Sequence, residues 1–325
     1  MRPWNPNESL IVDPSLANVR DNLYTLCFPF QNLGDQLDSE IMPLRVQWAA
    51  DEGKNELDPK SESWRRFKQI YSYQFGEEKV IALHAPELSF QGNGKTTAEQ
   101  YSVGRYVRIV YLYVKPESRP EFEAFVHKYI VPAAEKILHY RDEVTGAPPP
   151  EKRVYWAIPS YMRIVSLNVN MPTIPEFELF LQQHLLPAAR DTNTPVLTYR
   201  TVTGNRHNYH MFYPFNNEKG LQNSKSELVG SALLTAHQFQ QVAANKRGGA
   251  RLQPAAYKPA SSEEDAKRIA ADLAAEFHSH ALDIEEVVYR LRPDMSATLE
   301  GRYSKDSIEL AWNKYRNDTV QVATR

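Results

Sequence analysis

The residues able to do chemistry are scattered along the chain, and few of them are spaced for it. Of nine histidines, His207 and His210 flank a turn and His278 and His280 lie two apart near a helix end. Neither pair has the i, i+4 helical spacing of a metalloprotease site, and no cysteine or carboxylate completes a ligand set, so no metal is expected. The single cysteine, Cys27, sits in the apolar run Leu26-Cys27-Phe28 and reads as a small buried thiol. Gly92-Asn-Gly94-Lys95-Thr96 follows an apolar strand and invites a phosphate-loop reading. It fails because position 89 is Ser where the first glycine belongs, and 98–104 offers no helix to take the anion. Arg141 and Arg200 each follow a tyrosine in similar contexts; they could clamp an anion, but structural hydrogen bonding is the plainer role. Nucleophile, base and orienter are nowhere spaced as a set, so whether the chain is an enzyme stays open.

The elements that must position these residues are set by an internal repeat. Tyr106-Val-Arg-Ile-Val-Tyr-Leu-Tyr-Val114 and Tyr161-Met-Arg-Ile-Val-Ser-Leu-Asn-Val169 match at an offset of 55, and the match runs on through Pro120-Glu-Phe-Glu-Ala-Phe125 and Pro175-Glu-Phe-Glu-Leu-Phe180 to Pro132-Ala-Ala134 and Pro187-Ala-Ala189. Leu138-His-Tyr-Arg141 with Thr145-Gly146 answers Leu197-Thr-Tyr-Arg200 with Thr203-Gly204, and Tyr155-Trp-Ala-Ile-Pro159 answers Tyr209-His-Met-Phe-Tyr-Pro214. A fainter match pairs Tyr24-Thr-Leu-Cys-Phe-Pro-Phe30 with Tyr209–Phe215 at offset 185, and Val80–Ser89 with Val287–Ser296 at offset 207. Each unit reads as strand, helix, strand, strand. Pro120 and Pro175 suit a first helical turn, whereas Pro132 and Pro187 predict a kink or break.

Residues 161–296 thus read β-α-β-β-α-β, the split βαβ or ferredoxin-like order. Residues 24–90 and 106–159 carry the same elements permuted, with one extra strand at 24–30. The expected fold is α+β: two ferredoxin-like modules in one chain, the first permuted, facing each other as an α/β barrel. The first spans 1–160, as half-modules 24–90 and 106–159 joined by a linker at 91–104. The second spans 161–301 with a loop insertion at 240–262, and a helical tail occupies 302–325.

Strand parity divides the candidates. Tyr106, Arg108, Val110, Leu112 and Val114 share a face that is identical in the second copy, as expected for a side packed on helices or a common interface. The other face differs, with Tyr111 and Tyr113 in one copy and Ser166, Asn168 and Asn170 in the other. If it looks into a barrel, those residues, His210 and Trp156 are the ligand-binding candidates. The plainer alternatives are asparagines exposed at a strand end and an aromatic core residue.

A strand leading into Pro-Glu-Phe-Glu-x-Phe, a Tyr-Arg strand with a Thr-Gly turn and a Tyr-Pro-Phe strand together resemble the dimeric α/β-barrel superfamily, above all NIPSNAP-like and antibiotic-biosynthesis-monooxygenase-like domains. The resemblance is good over 101–217 and weaker over 24–90 and 280–296. It implies the barrel fold and relatives ranging from cofactor-free and haem-dependent oxygenases to members without activity, so it does not choose a function. It also singles out Asn168, since cofactor-free and haem-degrading members place an Asn on this strand. The leading expectation is a non-catalytic or weakly catalytic barrel that binds a small apolar or aromatic ligand or builds a homo-oligomeric assembly, with no cofactor. The alternative is an oxygenase, cofactor-free or using haem, with Asn168, His210 and Trp156 in the pocket.

Composition narrows the partners. Lys plus Arg number 38 against 40 acidic residues, a formal charge of -2, so no global basic field exists to hold nucleic acid or an anionic membrane. No apolar run reaches the ~18 residues of a membrane span, and the polar start Met1-Arg2-Pro3-Trp4-Asn5 does not read as a signal peptide. The expectation is a soluble protein with a small-molecule ligand or copies of itself as partners.

Overall fold

A computed structural model describes residues 10–13, 23–30, 42–53, 60–92, 105–136, 159–204, 207–215 and 260–296, with helical positions at 221, 309 and 313. The expected strand at 138–146, Arg141, Trp156, most of the 91–104 linker, nearly all of the 240–262 loop and most of the 302–325 tail lie outside these residues.

The chain is α+β, built on one antiparallel sheet. In order come β1 (Leu10–Asp13), β2 (Leu23–Phe30), α1 (Met42–Asp51), α2 (Glu62–Ser72), β3 (Gln74–His84), β4 (Tyr106–Val114), α3 (Arg119–Phe125), β5 (Tyr161–Val169), α4 (Ile174–Phe180), α5 (Leu186–Asp191), β6 (Leu197–Thr203), β7 (Tyr209–Phe215), α6 (Glu263–His280) and β8 (Ala281–Leu291). The seven longer strands pair in the order β2-β4-β3-β6-β7-β5-β8, and the short β1 bridges β2 and β8 to close a barrel. Strand β1 was not foreseen in the sequence. Segment 24–30 forms β2, which lies beside β4 over its whole length. The final strand of the first half begins earlier than its motif, at Gln74, and ends at His84 before a 3-10 turn, Pro86–Leu88, where proline stops the ladder.

Parity settles what each face does. Val107, Ile109 and Tyr111 of β4 and Ile164 of β5 join Val80, Ala82, Leu197, Tyr199, Phe212, Val287 and Tyr289 in an interior cluster. The opposite face packs on helices: Val110, Leu112 and Val114 against Phe122 and Val126, and Val165, Leu167 and Val169 against Phe177, Phe180 and Phe277. Both faces of β4 and β5 are therefore buried, which is why their segments are β-branched and aromatic throughout. Ser61 and Ser262 cap α2 and α6, accepting from the amides of Trp64 at 3.2 Å and Asp265 at 3.1 Å, as their place ahead of acidic residues predicts.

Where a kink or break is expected, each proline follows a π turn through which the helix continues. Helix α3 runs into a π turn at Val126–Ile130 before continuing over 131–136, and α4 passes through a π turn at Leu181–Leu185 into α5. The amides of Val131 and Leu186 bond back five residues, to Val126 and Leu181. That wider turn displaces the carbonyls that the rings of Pro132 and Pro187 would otherwise meet.

The two halves of the barrel meet where β3 pairs with β6, over Ile81–His84 and Tyr199–Thr203, and where β8 pairs with β1. Gly204 makes the first seam tight: its φ is +133°, and a Cβ there would lie 2.6 Å from the Lys79 carbonyl oxygen. Among the described residues no helix is long and apolar enough to cross a membrane.

Candidate functional site

One end of the barrel, where β4 and β5 finish and β3 and β8 begin, carries most of the interior polar groups. They are organised by register. Tyr111 on β4 faces Thr25 on β2 and Glu78 on β3, while Ser166 on β5 faces His210 on β7 and Glu285 on β8. The offsets of the sequence repeat relate these triplets member by member: 55 takes Tyr111 to Ser166, 185 takes Thr25 to His210 and 207 takes Glu78 to Glu285. One interior layer is thus built twice with different chemistry.

The second triplet holds a directed hydrogen-bond chain. Thr201 donates its hydroxyl hydrogen to the His207 carbonyl at 2.6 Å, so it can only accept from His210 Nε2, 3.1 Å away. His210 is then the Nε2–H tautomer, assigned from the network, and its Nδ1 accepts from Ser166 Oγ at 2.9 Å. The Tyr111 hydroxyl interacts with Ser166 across the barrel. His210 is fully enclosed; burial, then the nearby His207, pushes its pKa down to about 3, which keeps the ring neutral. Burial likewise raises the Tyr111 phenol and takes the Cys27 thiol up to about 12, so neither ionises near neutrality.

A serine donating to an imidazole has the form of an activated nucleophile. Two features of its surroundings weigh against that role. Strand β5 is paired on both sides, with β7 and with β8, so the amides beside Ser166 belong to the ladder and are not turned to an oxyanion. An imidazole whose pKa lies near 3 is also a weak base at pH 7. The arrangement can orient hydrogens and hold a neutral polar file inside an apolar core.

Leu23, Glu78, Tyr111, Tyr113, Ile164, Ser166, Glu285, Val287 and Tyr289 line an opening at this end. It encloses about 290 Å³ continuous with solvent, of which only about 10 Å³ can take the centre of a water molecule, near the minimum for one water. At its rim each half carries a β-bulge, with Phe75 skipped between Gln74 and Gly76 and Leu282 skipped between Asp283 and Ala281. These bulged residues are again related by 207, and they are 66% and 68% exposed.

The structure brings together Tyr111, Tyr113, Ser166 and His210 among the residues expected from sequence. Asn168 stands half-buried at the same end, opposite Asp283. Asn170 falls beyond the end of β5, because the strand stops at Val169; its carbonyl accepts from the Thr173 amide at 2.9 Å in a 3-10 turn, and it does not belong to the barrel face. Thr25, Glu78, Thr201, Glu285 and Tyr289 were missed, although the three offsets would have paired Thr25 with His210 and Glu78 with Glu285. Arg200 takes the structural role: it donates to Glu178 at 2.7 Å and pairs with Glu87 at 2.6 Å.

No protein-family model matches the chain, and no curated protein matches it.

Proposed function

We propose that the chain is a tandem member of the dimeric α/β-barrel superfamily, two ferredoxin-like modules with the first permuted, acting as a binder of a small ligand and not as a catalyst. The module reading is supported by sheet order: β7-β5-β8 and β2-β4-β3 both run third, first, fourth strand of the split βαβ pattern, with register-matched residues at the repeat offsets. The seams β3–β6 and β8–β1 stand where separate subunits would meet in a two-chain barrel.

The observation that carries the binding role is the opening: aromatic and apolar walls converge with a few polar groups at one end of a filled barrel. Against catalysis stands Ser166, whose strand is paired on both edges. Haem does not fit His210, whose Nδ1 lone pair is committed to Ser166 and whose Nε2 carries hydrogen. The oxygenase alternative then rests on Asn168 alone. Self-association through sheet edges has only short stretches to use among the described residues: the parts of β2 and β8 beyond the short β1, the β6 side of β3 before Ile81, and the β6 side of β7 after Phe212.

The test is titration of the intact chain with p-cresol, followed by thermal shift and tyrosine fluorescence, beside a Tyr111→Leu variant. Saturable stabilisation of the parent, lost in the variant, is expected, together with no Soret band on adding haem. A haem complex with a histidine-ligated spectrum would overturn the reading, and light scattering would reveal an assembly.

A further inference from the structure

We infer, resting on that ligand-binding reading, that the opening takes a neutral alcohol or phenol by its hydroxyl. A count of hydrogens and lone pairs chooses that group. Ser166 gives its hydrogen to His210 Nδ1, so in its interaction with Tyr111 it accepts and Tyr111 donates. That pair has only lone pairs left to offer. Tyr289 lines the same opening, and Thr25 lies near it but outside hydrogen-bonding geometry. Both are 0% exposed, and neither hydroxyl makes a well-directed hydrogen bond among the described residues. Buried hydroxyls in that state cost stability unless something meets them, and each has a hydrogen to give. A ligand hydroxyl answers both sides: it accepts from Tyr289 or Thr25 and donates to Tyr111 or Ser166. An ammonium can only donate and an ether or ketone can only accept, so each leaves one side unmet.

Charge and size agree with that choice. Burial raises the pKa of the Tyr111 and Tyr289 phenols and keeps the His210 ring neutral, so these groups hold no charge to offset the desolvation of an ion. Of the two carboxylates in the lining, Glu78 is exposed and Glu285 has partners of its own, so neither marks the site for a cation. Room for the centre of about one water admits a hydroxyl head, which can reproduce a water's hydrogen bonds. The carbon tail then lies along Leu23, Ile164 and Val287 and leaves past the exposed Phe75 and Leu282.

The experiment is calorimetric titration of the intact chain at pH 7.5 and constant ionic strength with p-cresol, 4-methylanisole, toluene, propan-1-ol and n-propylammonium chloride. Saturable binding of p-cresol is expected, about tenfold tighter than 4-methylanisole or toluene, and propan-1-ol should bind more tightly than n-propylammonium. Binding of p-cresol without propan-1-ol narrows the class to phenols; binding of both extends it to alcohols. Tyr289→Phe removes one unmet hydroxyl at nearly constant volume and should weaken p-cresol by about tenfold while leaving toluene unchanged. Thr25→Val serves if the first variant does not fold. Equal binding of p-cresol, 4-methylanisole and toluene would overturn the hydroxyl inference while leaving a ligand-binding barrel, as would tighter binding of n-propylammonium than of propan-1-ol. Unchanged p-cresol affinity in the folded variant would also overturn it, and no binding of any of the five would overturn both readings.

Discussion

Glu123 holds Arg292 with both carboxylate oxygens, each 3.2 Å from a guanidinium nitrogen, and so ties α3 of the first half to the end of β8 in the second. Tyr24 donates to the same carboxylate at 2.5 Å. Burial works to raise the pKa of Glu123, but hydrogen bonds from Arg292, Tyr24 and Arg119 prevail and hold it at about 2. The equivalent Glu178 accepts from Tyr209 at 2.6 Å and from the more exposed Arg200. Glu123→Ala strands a buried guanidinium that keeps Asp294, and we expect a loss of about 3 kcal/mol; Glu178→Ala should cost about 1–2 kcal/mol. Urea unfolding of both variants checks the order, and a larger loss at Glu178 would contradict it.

The Ser166–His210 pair predicts a pH dependence. The folded pKa of His210, about 3, lies below its ordinary value of 6.5, so between those values the unfolded chain binds the extra proton. Stability from this group is complete above pH 6.5 and is lost as pH falls toward 3, with a limiting slope of about 1.4 kcal/mol per pH unit. Glu286 opposes it over a narrower window: burial raises its pKa from 4.5 to about 6, which adds stability as pH falls through that interval. Chemical melts from pH 7.5 to 4 should show a net decline in the parent and a flatter profile in His210→Gln. Parallel profiles would show that His210 is not the responsible group.

Gly204 should tolerate no side chain. In Gly204→Ala the new Cβ meets the backbone of Lys79 and Val80 at 2.6 and 2.7 Å, and the φ of +133° is itself unsuited to alanine. A loss of about 2–3 kcal/mol is expected, against about 1 kcal/mol for Gly53→Ala, whose surroundings are open. Thermal melts of the two variants decide it.

Val110 and Val165, 3% and 2% exposed, occupy the same place in the two repeats and face the helices. Aspartate at either site buries a charge without a partner, and each variant should lose at least about 3 kcal/mol. A parental melting temperature in either would contradict the facing of these strands.

Much of this barrel was legible because segments of the sequence answer one another at fixed offsets. Strand and helix types, the faces of β4 and β5 and the N-caps at Ser61 and Ser262 follow from periodicity and offsets. The site was harder. Tyr111 and Ser166 declared themselves by parity, but Glu78 and Glu285 sit among Glu-rich stretches that read as solvated faces. Which register turns them to the opening depends on bulges at Phe75 and Leu282 that nothing local announces. Asn170 was misplaced for the same reason, since strand length is set by pairing with β8 and not by its own alternation. Strand β1 was missed because four residues carry too little pattern, and its place is fixed by the edges it joins.

The widened turns of the two helices also carry a chronology. Val126–Ile130 and Leu181–Leu185 lie 55 residues apart, the spacing of the copies themselves. On the tandem reading, a shared irregularity of this kind is older than the duplication, so the ancestral unit already bore it. On the same reading, half of this sheet standing alone would present two raw edges, which a second copy of the ancestral unit would cover. Fusion would make that pairing unimolecular and would free the two copies of each position to diverge. Tyrosine could then face serine, and threonine stand where its twin became histidine, inside a ring that two identical chains could only have filled symmetrically.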